Sequence, residues 1–428
     1  MIPIGAQQPL LYRLVISHYL LSGICFAALA VMLLFSSGEL TGHYFHPHLL
    51  AITHMAALGW GTLIIFGACY QLLPVILKTE LYSYKIGFVS LVSFVSGLIL
   101  LVYSFWKFQP GIYMQCGSLL LLLGILLFGL NTFITAKKNN HPDIQQEFIV
   151  TACIWLIATA ILGTLLVFNF RYAFLPKDHI LFLTLHAHMG LAGWFLMLII
   201  GVSSKLIPMF LVSARQKPII LSLSYYLINA GLMLFLIDTY FYGLNVKTYF
   251  IACIVVAGIV NWLIYIFYCF RSRMRKAIDL PIMHALLSFL LLSIATFVLP
   301  FIIFYQLKAD PLAIAYTTLY GTLLFMGWVS ALILGQTFKT LPFIVWVKRY
   351  QHLAGKGSIP MPADLFNKKI LKVQLFIFLA FTGSFYTGLL IKSQILINIG
   401  LICFLLVAFV YLTNVMVILL HKPQIKEL

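Results

Sequence analysis

The chain has 428 residues, of which 63% are apolar and 9% charged, with a mean hydropathy of +1.05. A soluble globule is nearer half apolar and a quarter charged, so the composition excludes one and implies an all-α integral membrane protein. The formal charge of +17 does not require a nucleic-acid partner, because the basic residues lie mostly between apolar runs; the partner the composition demands is the lipid bilayer.

Apolar runs long enough to cross a bilayer as helices begin near Leu10, His48, Tyr84, Gly111, Phe148, Ile180, Ile219, Thr248, Met283, Pro311, Ile370 and Ile395. These are spans 1 to 12. They lack the two-residue alternation of a membrane barrel. The first is long and has no small-x-small cleavage motif, so it is read as a span and not as a signal peptide. All seven cysteines fall within predicted spans, with no CxxC or CxxCH, which argues against a disulfide scaffold and covalently attached haem.

Between spans 1 and 2, His43, His46 and His48 form an HxxHxH group with Glu39 nearby. Imidazoles suit copper and zinc, which makes the group a candidate metal site, although loop histidines are more often only solvated. Span 2 carries His54-Met-Ala-Ala-Leu-Gly59-Trp60, followed by Gly67, Gln71 and Pro74. Arg171 and Lys177 lie in the loop leading into span 6, placed to pair with anionic groups or to anchor at the interface. Span 6 carries His186 and then His188-Met-Gly-Leu-Ala-Gly193-Trp194, Gly201, Lys205 and Pro208. Span 7 holds Tyr225 and Tyr226 but no histidine, and Asp238 is the one candidate carboxylate for a relay at membrane depth. Span 10 repeats the frame as Tyr320, Thr322, Gly327-Trp328, Gly335, Lys339 and Pro342, without the imidazole.

The three signatures stand 134 positions apart, which suggests one ancestral four-helix unit used three times. The expected organisation is a single transmembrane domain over 1–428, with repeat units of about 1–140, 141–278 and 279–428. Secondary transporters of twelve spans usually show two halves or inverted pairs instead. The repeated glycines are expected to provide surfaces for close helix contact, and Pro74, Pro208 and Pro342 to end their helices. Lys137/Lys138, Arg215/Lys217, Arg271/Arg273/Arg275/Lys276, Lys348/Arg349, Lys368/Lys369 and Lys422/Lys426 all follow even-numbered spans. The positive-inside rule therefore predicts both termini in the cytoplasm; the expected location is an inner (plasma) membrane.

An imidazole at membrane depth is a functional hypothesis by default, because leaving it unpaired in hydrocarbon is costly. His54 and His188 occupy matching positions and are the strongest candidates. His186 and His188 are two apart on a helix that turns about 100° per residue, so they point to nearly opposite sides. That geometry disfavours joint chelation of zinc and suits haem iron, which takes axial imidazoles from separate helices. His18 is expected to be structural, His179 to support span 6 at its outer start, and Tyr320 to pack in a helix seam. His141, His284, His352 and His421 are expected to be solvated, and Lys205 and Lys339 to reach toward the interface.

The stretch Leu185-His186-Ala187-His188-Met189-Gly190-Leu191-Ala192-Gly193-Trp194 resembles the tenth-helix motif HVHxGALGW of cbb-type haem-copper oxidase catalytic subunits. The resemblance implies twelve helices in a pseudo-three-fold arrangement. It further implies one or two b-type haems, with His186 as a ligand of the high-spin haem and His188 of the low-spin haem. The other low-spin ligand of that family comes from helix two, where this chain has His54; Arg171 and Lys177 then lie where haem propionates would emerge. The resemblance implies electron transfer to oxygen or nitric oxide, with a cytochrome or quinol donor and partner subunits. The chain departs from the family where copper is held, since span 7 lacks the adjacent histidine pair and the HxH falls in span 6. It is therefore also similar to NnrS-type haem and copper membrane proteins, for which the implied role is a non-catalytic one in nitric oxide response, sensing or assembly.

Overall fold

A computed structural model describes residues 8–213, 217–274, 276–353 and 359–423. Arg215, Arg275 and Lys426 of the basic loops lie outside the described residues. Twelve helices among the described residues are long and apolar enough to cross a membrane: Pro9–Phe35, Pro47–Leu77, Tyr84–Trp106, Ile112–Lys137, Ile144–Tyr172, His179–Leu211, Pro218–Tyr242, Lys247–Arg271, Leu280–Leu307, Leu312–Leu353, Lys368–Leu390 and Gln394–Leu419. The chain is an all-α membrane protein, and these are spans 1 to 12 in order. In hydrocarbon a backbone amide has no water to bond, so a helix that satisfies its own amides is the form such runs must take.

By packing, the chain divides into two compact units. One comprises Met1–Cys69, Ile278–Phe297 and Ile314–Leu428; the other comprises Tyr70–Ala277 and Val298–Ala313. In the first unit, span 1 lies on span 2 through Phe26, which stacks on Trp60 with ring centroids 4.2 Å apart, and through Ser22 Oγ, which donates to the Trp60 carbonyl at 2.9 Å. In the second unit, Ser90 Oγ of span 3 donates to the Gly124 carbonyl of span 4 at 2.7 Å. Ser224 Oγ of span 7 repeats that bond to the Gly258 carbonyl of span 8, also at 2.7 Å. Buried hydroxyls thus join helices that hydrophobicity alone would not hold together in lipid.

The glycines of the repeated signature do admit close neighbours. A Cβ on Gly67 would lie 2.5 Å from His18 Cβ, one on Gly201 2.7 Å from Phe148 Cβ, and one on Gly335 2.6 Å from His284 Cβ. Gly67→Ala and Gly335→Ala are each expected to destabilise the protein by about 1–3 kcal/mol, the usual cost of forcing an extra carbon into a packed seam. Gly111→Ala, which meets nothing within 4 Å, should leave the thermal midpoint in detergent unchanged.

Several details depart from the sequence reading. Pro74, Pro208 and Pro342 lie inside helices and do not end them. Proline removes one amide donor and so orphans the carbonyl four residues earlier; for Pro208 that carbonyl belongs to Ser204, and Tyr265 Oη donates to it at 3.0 Å. Lys205 and Lys339 do not simply reach for the interface, since Lys205 pairs with Asp143 at 3.5 Å and Lys339 pairs with Asp279. His284 is fully buried and not solvated, with Nε2 3.4 Å from Gln374 Nε2. It lies where span 9 crosses Gly335, a close crossing that excludes water.

His421 is also engaged. Its Nε2 lies 2.6 Å from Tyr350 Oη, while Arg349 Nη2 donates to the Leu419 carbonyl at 2.9 Å, so the segment after span 12 is tied to the end of span 10. Burial first, and then the Arg349 charge, lower the His421 pKa below its ordinary value. A depressed histidine pKa means the folded state takes up its proton later than the unfolded state, whose pKa is about 6.5. Stability from this contact should therefore be complete above that value and decline as the pH falls below it. Melting temperatures between pH 8 and pH 5 should show a smaller acid decline for His421→Gln than for the unaltered protein.

Candidate functional site

In the second unit, the helix His179–His188 ends at His188, where an eight-residue π-helical segment, Met189–Leu196, begins before α-helix resumes at Met197. His188 Nδ1 is bonded to the Thr184 carbonyl at 2.8 Å, and its ring packs against Phe235 with centroids 4.5 Å apart. His186 Nδ1 is bonded to the Thr159 carbonyl of span 5 at 3.0 Å. Gly163 makes room for that ring, since a Cβ there would lie 2.8 Å from His186 Cε1. The two histidines thus face different helices, as expected for residues two apart on one helix.

A carbonyl can only accept, so the nitrogen bonded to it must carry the proton. In both neutral rings Nδ1 is therefore the donor, and Nε2 presents its lone pair as the ligand atom. A hydrogen bond of this kind is what metal-ligating histidines usually make with their second nitrogen, because it fixes the tautomer and turns the ring.

In the first unit, the helix Pro47–His54 ends at His54, and a π segment, Met55–Thr62, follows. His54 Nδ1 is bonded to the Leu50 carbonyl at 2.7 Å, the same four-residue link that His188 makes. The third copy has the same backbone without the imidazole: Leu312–Thr322 ends at Thr322 and the π segment Leu323–Val329 begins. The Thr322 hydroxyl turns back to the Thr318 carbonyl at 2.9 Å, and its own carbonyl accepts from Tyr386 Oη at 3.1 Å. Tyr320 is partly buried on span 10. The three signature tryptophans, Trp60, Trp194 and Trp328, are each 1% exposed, and Trp60 Nε1 donates to Ser330 Oγ at 3.0 Å.

Each signature residue is thus the last α-helical residue before a π segment. Such segments are rare and concentrate at functional positions, because the extra residue re-aims the side chains around it. Periodicity could not reveal them. The only trace in the sequence is the fixed distance from His54, His188 and Thr322 to the Gly-Trp pair.

The remaining candidates separate. Arg171 is exposed, with its guanidinium 5.7 Å from the Tyr172 ring centroid. Lys177 sits 4.5 Å from the Tyr240 ring centroid and donates to the Tyr240 carbonyl, which fastens the loop to the end of span 7. His179 packs on Phe170 at 4.4 Å. Asp238 is held at the end of span 7 by Asn245 Nδ2 at 2.8 Å. In the loop after span 1, Glu39, His46 and His48 come together with ligand atoms all within 4.8 Å of one another. His43 stands apart: its Nδ1 accepts from the Phe45 amide at 3.0 Å, and its ring stacks on Tyr44.

The chain matches no known protein-family profile and no curated protein sequence. Its fold is similar to that of a haem-copper terminal oxidase whose dimer was solved by cryo-electron microscopy, with a TM-score of 0.65 at 12% sequence identity. The likeness covers 99% of this chain and 85% of that one. The likeness is one of fold: the twelve-span arrangement is similar to that of a haem-copper terminal oxidase.

Proposed function

We propose that the protein is a haem-binding membrane protein in which His54 and His188 are each axial ligands of b-type haem iron and His186 is a ligand of a second haem. The observation that carries this reading is the shared stereochemistry of the repeat. His54 and His188 each close an α-helix at the start of a π segment, and each holds Nδ1 on the carbonyl four residues earlier. Bound haem iron would supply one-electron redox chemistry at these positions. The residues' own contribution is orientation and basicity: the main-chain carbonyl keeps the proton on Nδ1, and Phe235 backs the His188 ring with an apolar face. Arg171 and Lys177 are proposed to neutralise haem carboxylates by charge-assisted bonds.

On this reading the chain accepts electrons from a cytochrome or quinol and passes them to oxygen or nitric oxide. A second reading is favoured by one observation. Span 7, Pro218–Tyr242, contains no histidine, so the chain lacks the adjacent pair that would hold copper in cbb-type oxidases. The alternative is a haem or copper protein of NnrS type that acts in nitric oxide response, sensing or assembly without reducing oxygen. We also propose that the three signatures reflect three four-helix repeats, with both termini on the cytoplasmic side of an inner membrane.

Pyridine haemochrome analysis of protein purified in mild detergent, with elemental analysis for iron and copper, tests the proposal. One or two b-type haems per chain are expected. Two haems with copper held outside the loop after span 1 would favour the oxidase, and one haem without such copper the second reading. A preparation without haem, even after reconstitution, overturns the haem assignment.

A further inference from the structure

We propose that Glu39, His46 and His48 form a binding site for one first-row divalent metal ion, zinc or copper, separate from the histidines of spans 2 and 6. Two imidazole nitrogens and a carboxylate are a donor set that suits both ions. His48 Nδ1 lies 2.7 Å from Glu39 Oε1, and His46 Nδ1 lies 3.1 Å from Glu39 Oε2. Donor atoms about 2.0 Å from a tetrahedral ion stand about 3.3 Å apart, and one ligand atom from each of the three residues already lies within 4.8 Å of the others.

The local fold explains how an HxH pair can converge here when the pair on span 6 diverges. His46 is not helical: it is the residue before the helix Pro47–His54, with extended backbone at φ −122° and ψ 139°. Pro47 opens the helix because its fixed φ fits the first position and its missing amide is not needed there. His48 follows in the first turn, and the two rings meet edge to face with centroids 5.4 Å apart. Glu39 is supplied by the short 3-10 helix Ser37–Thr41, turned toward them.

Simple hydrogen bonding accounts for only part of the cluster. His48 and Glu39 are bonded, but the approach of His46 Nδ1 to Glu39 Oε2 is not aligned as a hydrogen bond, and both of those atoms are buried without one. A shared cation satisfies both at once and displaces the proton on any Nδ1 that it takes. The side chains of His46, His48 and Glu39 remain 43%, 33% and 28% exposed, so an ion can enter from solution, and three protein ligands leave a fourth position for water. The same geometry removes His43 from the site.

Purified protein is titrated with Zn2+ in competition with a chromophoric chelator, and the Cu2+ form is examined by electron paramagnetic resonance. One equivalent of Zn2+ is expected. His46→Ala and Glu39→Gln should weaken it at least about tenfold, the lower end of what even an outer partner of a metal ligand costs, whereas His43→Ala should leave it unchanged. His48→Gln, which keeps a donor for Glu39 and so guards against a folding defect, should weaken it equally. Copper hyperfine structure from two nitrogens should fall to one in His46→Ala. Absence of stoichiometric zinc binding, or equal losses in His43→Ala and His46→Ala, overturns the site. His188→Ala protein should bind zinc normally, so failure of this site and failure of the haem reading are separable.

Discussion

Replacing His188 with alanine is expected to remove one haem per chain, and His54→Ala is expected to do the same. The effect should be large, because an axial imidazole is a direct bond to iron, while loss of a mere outer partner already costs about 10–100-fold in metal affinity. The informative control is His18. It too bonds its Nδ1 to the carbonyl four residues earlier, Leu14, at 2.8 Å, but it lies in the middle of an ordinary helix, is 0% exposed, and is pressed against Gly67. Its surroundings are those of a packing residue, so His18→Ala should lower the thermal midpoint and leave the haem content intact. Thr322→Ala should alter neither. His188→Gly with added imidazole should recover the haem spectrum, which a variant damaged only in folding would not do. Gly163→Ala presses first on the His186 ring and should disturb a second haem selectively. If His188→Ala and His18→Ala kept haem equally, the assignment of His188 would be wrong.

These contrasts show what the sequence could and could not disclose. Helix-length apolar runs, glycine positions and the 134-residue spacing are properties of composition and order, so the twelve spans and the close crossings at Gly67, Gly201 and Gly335 could be read directly. The partners of individual polar groups could not. Asp143 and Asp279 precede spans 5 and 9, while their lysines lie some sixty residues later on spans 6 and 10; nothing local links them. His284 and His43 show why. The place of His284 near a span end suggests solvation, yet a close helix crossing buries it, and the spacing groups His43 with His46 and His48, whereas its ring accepts from the Phe45 amide in its own loop. In the sequence Glu39 is only a neighbour of the histidines, because a 3-10 turn has no period strong enough to show where its carboxylate points.

The two lysine–aspartate pairs should differ sharply in what they contribute, although they occupy corresponding positions. Lys205 follows Gly201 and precedes Pro208, just as Lys339 follows Gly335 and precedes Pro342. Each aspartate also accepts an amide at its helix start, Asp143 from Gln146 at 3.0 Å and Asp279 from Ile282 at 3.3 Å. Burial separates them: the Lys205 and Asp143 side chains are 33% and 35% exposed, whereas Lys339 is 14% exposed beside Asp279 at 30%. Asparagine keeps the helix-capping oxygen and removes only the charge. Asp143→Asn should therefore cost less than about 1 kcal/mol, since water screens an exposed pair. Asp279→Asn removes the countercharge beside a largely buried ammonium and should cost more, about 2–3 kcal/mol, the lower end for breaking a buried pair because Asp279 itself is partly wet. Adding Lys339→Met to Asp279→Asn should recover most of that loss, because it removes the remaining buried charge and keeps the side-chain bulk. Thermal unfolding in detergent, followed by helical signal, gives the ranking; equal losses in the two single variants would show that burial is not what distinguishes the pairs. The first copy has Gln71 at the matching position, a neutral side chain that needs no carboxylate. The charge pair is thus an addition to the shared helix frame and not a condition for it, which is why removing both partners should be tolerated better than removing one.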